Sequence, residues 1–388
     1  MKKTMINSNL MRIRPSTSIA MMDKARTLQA KGYDVISLAG GEPDFDTPKP
    51  ICEVGIKGIR EGHTHYTAGR GINPLRERIA KKLNDENGIR SNVDNILVTP
   101  GGKYAIFLAI NTFINPGDKV MVLDPSWVSY KPMVEMAGGD VVSVPLSLEN
   151  NYKIDRDLLN KYMDPNVRIL IINTPNNPTG RVLSLEEAKT IEEFVADNNI
   201  LLISDEVYEK IIFDGHKHIS MGSFASIADK VITVNSFSKC VAMTGWRVGY
   251  MCAETSIIDA VYLYYQHTLT CVSEFSQLAA LEALEHNAEM NEMCHSYEKR
   301  RDIFINSLNS IRGIKCLKPE GAFYAWCKVE KSGIKPDKVS EFLLEKARVV
   351  TVAGSAYGLE TEGCVRMSFA AAEKDLIEAA GRIAAAMK

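Results

Sequence analysis

The sequence predicts an α/β protein: a large domain on a doubly wound, mainly parallel seven-stranded sheet, and a smaller α/β domain formed from both termini. Three observations carry this expectation. From about residue 95 to 252, short apolar runs alternate with helical patterns, the signature of repeated strand–helix–strand units. The segments on either side read differently. The 388 residues also exceed the roughly 100–200 of one ordinary core, so a second is expected.

The strands of the large sheet are expected at Ile96–Thr99, Val120–Leu123, Val141–Val144, Arg168–Asn173, Ile200–Ser204, Val231–Val234 and Val248–Cys252. Each is a short apolar run of buried-strand length. The helices between them carry start signals. Gly101-Gly102 precedes Lys103–Ile114, Ser126 precedes Trp127–Ala137, Asp155 precedes Arg156–Tyr162, and Ser184 precedes Leu185–Asn198, whose first turn is acidic. Outside this core, residues 1–47 offer a helix, Ser18–Ala30, and a strand, Val35–Leu38. From about 290 a long charged helix leads to strands Ala322–Val329, Val349–Val352 and Cys364–Ala370, with helices Asp337–Ala347 and Glu373–Met387. The expected division is 48–290 for the large domain and 1–47 with 291–388 for the small one.

Composition narrows the function. With 45% hydrophobic and 24% charged residues the chain can bury a sizeable core. A net charge of −2, with both signs interspersed, leaves no basic footprint for nucleic acid or an anionic membrane. No C-x-x-C pair occurs among the eight cysteines, so neither a zinc site nor a redox dithiol is supported, and no metal is expected. Lys2 and Lys3 are followed by no apolar run before Asn7-Ser8-Asn9, so no secretory signal is expected and the cytoplasm is the default compartment. Stretches such as Ile169 to Ile172 are too short to span a bilayer. No G-x-G-x-x-G follows any expected strand, which disfavours a dinucleotide-dependent dehydrogenase.

In an open parallel sheet, ligands sit beyond the carboxyl ends of the strands, so function should concentrate just after each one. After Ile96–Thr99, Pro100-Gly101-Gly102-Lys103 opens a helix and sets bare N–H groups at the positive end of a dipole, which suits phosphate. It is not a Walker loop, because Leu97 stands six residues before Lys103 and Tyr104 follows it. After Arg168–Asn173 comes the polar turn Thr174-Pro175-Asn176-Asn177-Pro178-Thr179-Gly180. After Ile200–Ser204, Asp205-Glu206-Val207-Tyr208 ends an apolar strand with a carboxylate that needs a cationic partner. After Val231–Val234 come Asn235-Ser236-Phe237-Ser238-Lys239 and then Met243-Thr244-Gly245-Trp246-Arg247, an amine nucleophile beside an anion site. Taken singly, these also read as a Gly-rich helix start, a plain turn and a helix cap.

Their order resolves them. The sequence resembles the fold type I enzymes that use pyridoxal 5'-phosphate (PLP), and within them the class I aminotransferases of the aspartate aminotransferase family. The matching stretches run from Ser37-Leu38-Ala39-Gly40-Gly41-Glu42-Pro43-Asp44-Phe45 to Val365-Arg366-Met367-Ser368. The resemblance implies that Lys239 carries the cofactor as a Schiff base and, once freed, moves the substrate α-proton. It implies that Asp205 partners the pyridinium nitrogen. Asn177 and Tyr208 would hydrogen-bond the phenolic oxygen, and Trp127 would stack on the ring. Gly102 and Lys103 N–H groups, Ser236, Ser238 and Arg247 would hold the phosphate, with Tyr66 reaching it from the neighbouring subunit of a homodimer. Arg366 would take the substrate α-carboxylate, with Gly41, Trp127 and Asn177 beside it, and the small domain would close as a lid.

The implied reaction is ping-pong transfer of an amino group from an L-amino acid to a 2-oxo acid such as 2-oxoglutarate. Lys103 and Arg14 favour an aspartate or glutamate substrate, although Lys103 also reads as a phosphate neighbour and Arg14 as a solvated charge. No arginine near His267–Ser273 takes the side-chain carboxylate instead, so aromatic donors stay open. A C–S lyase or an aminocyclopropane carboxylate synthase-like enzyme would use the same Lys239 and Asp205. A non-catalytic PLP-binding regulator would need a DNA-binding module, for which residues 1–35 are too short and carry no basic stripe.

Overall fold

The protein is described from a computed structural model covering residues 7–13, 15 and 17–388, without the side chains of Thr17 and Ser18. Arg14 lies outside the described residues. A seven-stranded sheet runs in the order Ile96–Thr99, Gly249–Cys252, Val231–Ser236, Leu201–Asp205, Val167–Asn173, Lys119–Asp124, Asp140–Pro145. Six strands share one direction. Gly249–Cys252 alone in this sheet is antiparallel, inserted between the first strand and Val231–Ser236.

Alternation along the strands sorts the core into two faces. Val120, Val122, Ile169, Ile171 and Ile203 pack on helices Gly102–Phe113 and Thr255–Tyr265. Met121, Leu123, Leu170, Ile172 and Leu202 turn to the other face and meet Ile191, Phe194 and Val195 of helix Leu185–Asn198. Because both faces are covered, the central strands read as continuous apolar runs.

A second, four-stranded sheet is antiparallel throughout, in the order Val352–Ala353, Cys364–Ser368, Tyr324–Val329, Ile314–Cys316. Beside it Ile36–Ser37 pairs in parallel with Val349–Val350, so segments from the two ends of the chain meet. Helices Asn287–Asn309 and Glu373–Met387 cover this part through Phe304, Leu308, Ala379 and Ile383.

Several expected elements differ, each for a local reason. The helix expected from Trp127 begins at Tyr130, because Ser126 donates its hydroxyl to Asp124 at 3.0 Å rather than capping. The single strand expected at Val349–Val352 is two, in different sheets. Between them Thr351 turns to Ser340, accepting from its Oγ at 2.9 Å and donating back at 3.0 Å. The helix expected at Asp337–Ala347 changes pitch twice, from a 3-10 turn at Pro336–Lys338 to α at Val339–Phe342 and π at Leu343–Ala347. Helices Lys49–Arg60, Asn73–Asn87, Thr255–Tyr265 and Glu274–Ala283 carry no side-chain cap bond, and the first two start instead on a proline in the first turn. Two of the expected start signals do cap their helices: Asp155 accepts from Leu158 N at 2.8 Å, and Ser184 with Glu187 forms a capping box.

Candidate active site

The strand ends converge on one cleft of about 390 Å³, within the range of roughly 300–1,000 Å³ usual for small-molecule sites. Gly41, Gly102, Lys103, Trp127, Asn177, Asp205, Tyr208, Ser236, Ser238, Lys239, Arg247 and Arg366 all line it. Tyr66 does not: it stands away from this cleft, 83% exposed.

Lys239 is carried out of strand Val231–Ser236 by a single helical turn, Phe237–Cys240. Ser236 caps that turn by accepting from Ser238 N at 3.1 Å, and the two hydroxyls bond at 2.9 Å. The Lys239 amine donates to the Gly41 carbonyl and touches no carboxylate among the described residues. Burial lowers its pKa to about 8, helped by Arg366, Arg247 and Lys103 and opposed by Glu42. A large share of this amine is therefore neutral near pH 8.

Asp205 ends strand Leu201–Asp205 and is 4% exposed. Its Oδ2 accepts from Tyr130 Oη at 2.5 Å and its Oδ1 from Val207 N at 3.4 Å. Burial raises its pKa to about 6, against the pull of those two bonds. The cationic partner expected for this carboxylate is not hydrogen-bonded to it by any described residue; the chain supplies a neutral phenol, and the charge of Lys239 acts at a distance.

At the other wall, Tyr208 Oη bonds Tyr324 Oη at 2.7 Å, and burial holds the Tyr208 phenol well above its ordinary pKa, so it stays protonated. Arg366, on strand Cys364–Ser368, donates through Nη2 to the Ala39 carbonyl at 2.7 Å and through Nη1 to Asn177 Oδ1 at 3.2 Å. Its guanidinium lies 4.4 Å from the centre of the Tyr324 ring, and its buried Nε has no partner. No carboxylate among the described residues pairs with this buried guanidinium, which leaves it able to take an anion.

The third corner is a second anion cup. Helix Gly102–Phe113 points its N-terminus inward behind Gly101, which adopts φ +86°. A side chain there would crowd its neighbours: a Cβ on Gly101 would lie 2.7 Å from Arg247 Nη2, and one on Gly102 3.0 Å from Val207 Cγ1. Arg247, itself left-handed at φ +56°, is aimed by bonds to the Thr244 and Pro100 carbonyls at 2.7 and 3.1 Å. Lys103 Nζ lies 5.0 Å from the centre of the Trp127 ring.

Sequence reasoning missed Tyr130, Tyr324 and the Glu42–Thr244 contact across the mouth. Tyr130 was within reach, one helical turn beyond Trp127 in the same Pro125–Tyr130 stretch; Tyr324 carries no local signal.

A mainly parallel α/β sheet that gathers a lysine of lowered pKa, a buried acid, a helix N-terminus beside Arg247 and the Arg366 guanidinium in one cleft has the layout of an enzyme active site. The chain belongs to the aminotransferase class I and II family, whose model matches residues 33–383, and is an enzyme that transfers amino groups. It is 38% identical over 379 residues to an aspartate aminotransferase of Musicola paradisiaca, covering 97% of this chain and 95% of that one. It is also 38% identical over 387 residues to aromatic-amino-acid aminotransferase 2 of Thermococcus litoralis, covering 99% and 98%. The aspartate aminotransferase of Thermus thermophilus solved with maleate superposes with a TM-score of 0.93 at 35% identity, covering 98% and 99%. No helix among the described residues is long and apolar enough to cross a membrane.

Proposed function

We propose that the protein is a PLP-dependent aminotransferase that takes aspartate or glutamate in preference to an aromatic amino acid and passes the amino group to a 2-oxo acid such as 2-oxoglutarate. The observation that carries this reading is the Lys239 amine, buried with no carboxylate partner among the described residues, in one cleft with Asp205 and with the helix N-terminus at Gly102. The residues fit the cofactor: the bare N–H groups at Gly101–Gly102 and the paired serine hydroxyls suit a phosphate, and Asp205 suits a protonated ring nitrogen. When bound, PLP supplies an aldehyde for amine exchange and a ring that accepts the electrons of the broken Cα–H bond.

Lys239 Nζ is then the attachment point and, once released, the base that receives the α-proton; with a pKa of about 8 it can both take and return that proton near neutrality. Arg366 binds the α-carboxylate, with the Gly41 backbone and the Trp127 and Asn177 side chains beside it. Asp205 keeps a proton on the ring nitrogen, while Tyr208 and Asn177 donate to the phenolic oxygen. The Gly102 and Lys103 backbone N–H groups, Ser236, Ser238 and Arg247 hold the phosphate. Residues 48–290 form the frame, and residues 1–47 with 291–388 the lid; Arg366 and Ala39 come from the lid and Asn177 from the frame, so closure assembles the carboxylate clamp and expels water. Tyr66, exposed in one chain, serves the site of a partner in a symmetric homodimer of the cytoplasm.

Relatives named for aspartate and for aromatic amino acids stand at the same identity, so identity does not choose between them. The Lys103 ammonium supports the acidic donors, because it faces the cleft with no carboxylate partner among the described residues and suits a second carboxylate on the substrate. The test is a panel of amino donors with 2-oxoglutarate, together with the visible absorbance of the purified protein. Turnover of aspartate and glutamate ahead of phenylalanine and tyrosine is expected, with a cofactor band that disappears in Lys239→Ala. Release of ammonia and pyruvate without a 2-oxo acid would show a lyase instead, and a Lys239→Ala variant that keeps the band would overturn the assignment of that lysine.

A further inference from the structure

We infer that Tyr130 is a positioning residue acting through Asp205: its hydroxyl holds that carboxylate ionised and aimed into the cleft, so that a proton shared with the cofactor stays on the cofactor's ring nitrogen. The inference rests on the PLP reading above. Tyr130 opens helix Tyr130–Met136, is 2% exposed, and is the one side chain among the described residues that donates to the Asp205 carboxylate. The remaining bond on that carboxylate, from Val207 N, is long at 3.4 Å. One strong donor therefore sets both its orientation and its charge.

The segment that carries Tyr130 is fixed at both ends. Asp124, wholly buried at the end of its strand, accepts from Ser126 Oγ at 3.0 Å, from Lys131 Nζ at 2.6 Å and from Leu359 N at 3.0 Å. Between those anchors Trp127 meets the Tyr130 ring edge to face at 5.3 Å. The reach of the phenol toward Asp205 is thus built in before any ligand arrives. The phenol also cannot give its proton up: burial and the neighbouring Asp205 charge push its pKa well above the ordinary value, so it remains a donor.

The sign follows from which form of Asp205 is bonded. A donor to the carboxylate stabilises the anion and lowers the affinity of Asp205 for a proton, opposing the effect of burial. With the phenol removed, Asp205 binds a proton more tightly, and a proton shared between its oxygen and a ring nitrogen moves toward the oxygen. The ring then accepts electrons less well, which slows abstraction of the α-proton more than it weakens substrate binding.

The experiment reads Asp205 and the ring nitrogen separately. In cofactor-free protein carrying 13C-labelled aspartate carboxyls, Tyr130→Phe is expected to raise the Asp205 titration midpoint by about one to two pH units, the scale of a lost hydrogen bond to a charged group. In protein loaded with ring-15N PLP, the same variant is expected to move the nitrogen resonance toward that of an unprotonated pyridine. Replacement of Tyr130 by 3-fluorotyrosine, a more acidic phenol and a stronger donor, is expected to move both signals the other way, and it decides the matter should the phenylalanine variant fail to fold. Signals that stay fixed in the variants, or move in the same direction in both, overturn the role of Tyr130. A wild-type protein that takes up no PLP overturns the cofactor reading itself, whereas uptake with an unchanged 15N signal overturns this inference alone.

Discussion

A lysine in water holds its proton to about pH 10.4, and the chemistry assigned to Lys239 needs that proton gone. Burial does most of the work and three neighbouring cations add to it, giving a pKa of about 8. The protonated form dominates below that value and the neutral, reactive amine above it. The rate of PLP uptake by cofactor-free protein is therefore expected to rise about tenfold per pH unit up to about pH 8 and then level off, as followed by stopped-flow absorbance. A profile still climbing at pH 10 would show an amine that burial has not perturbed. That Lys239 and Asp205 line one cleft was readable from the sequence because both stand just beyond the ends of expected strands, where a parallel sheet gathers its site. Tyr130 and Tyr324 were not, since their meaning lies in partners 75 and 116 residues away.

Elements announce themselves in sequence only when their ends carry side-chain signals. Ser184 and Glu187 mark helix Leu185–Asn198 because each bonds the backbone of the other's position. Helices Thr255–Tyr265 and Glu274–Ala283 begin without such a bond, and burial rather than capping holds them. The strand break at Thr351 was likewise hidden, because Val-Val-Thr-Val is a good strand pattern whose partition between two sheets is decided by Ser340. One joint between elements can be tested directly. Gly358, at φ +132°, lies against the Asp124 carboxyl so closely that a Cβ there would come within 2.1 Å of it. Gly358→Ala is expected to cost about 1–3 kcal/mol in urea unfolding, from backbone strain and overpacking together, and to weaken PLP uptake by disturbing the segment that holds Trp127. Unchanged stability would mean that the 358–359 turn is not pinned to the sheet.

At the scale of the molecule, the alternation of strand and helix stops near residue 252, and the pairing of Ile36 with Val349 brings together segments from the two ends of the chain. The sheet order was not readable from the sequence, since the antiparallel insertion of Gly249–Cys252 beside Ile96–Thr99 depends on packing rather than on any local pattern. Sharing of sites in the proposed dimer predicts complementation. Tyr66→Leu and Lys239→Ala chains, each impaired alone, are expected to regain activity when unfolded together and refolded as a mixture, because a mixed dimer has one site with both native residues. Activity no greater than the sum of the separate proteins would place Tyr66 outside the partner's site.

The bond from Arg366 to the Ala39 carbonyl closes a loop of 327 residues in sequence. During synthesis the chain emerges from its N-terminus, so Ala39, Asp205 and Lys239 are all made before the strand Cys364–Ser368 exists. At that stage the chain lacks Tyr324 and Arg366, two walls of the cleft, and with them the Arg366 charge that helps lower the Lys239 pKa. The perturbed amine and the guanidinium that faces it are therefore completed together, and only once nearly the whole chain has been made.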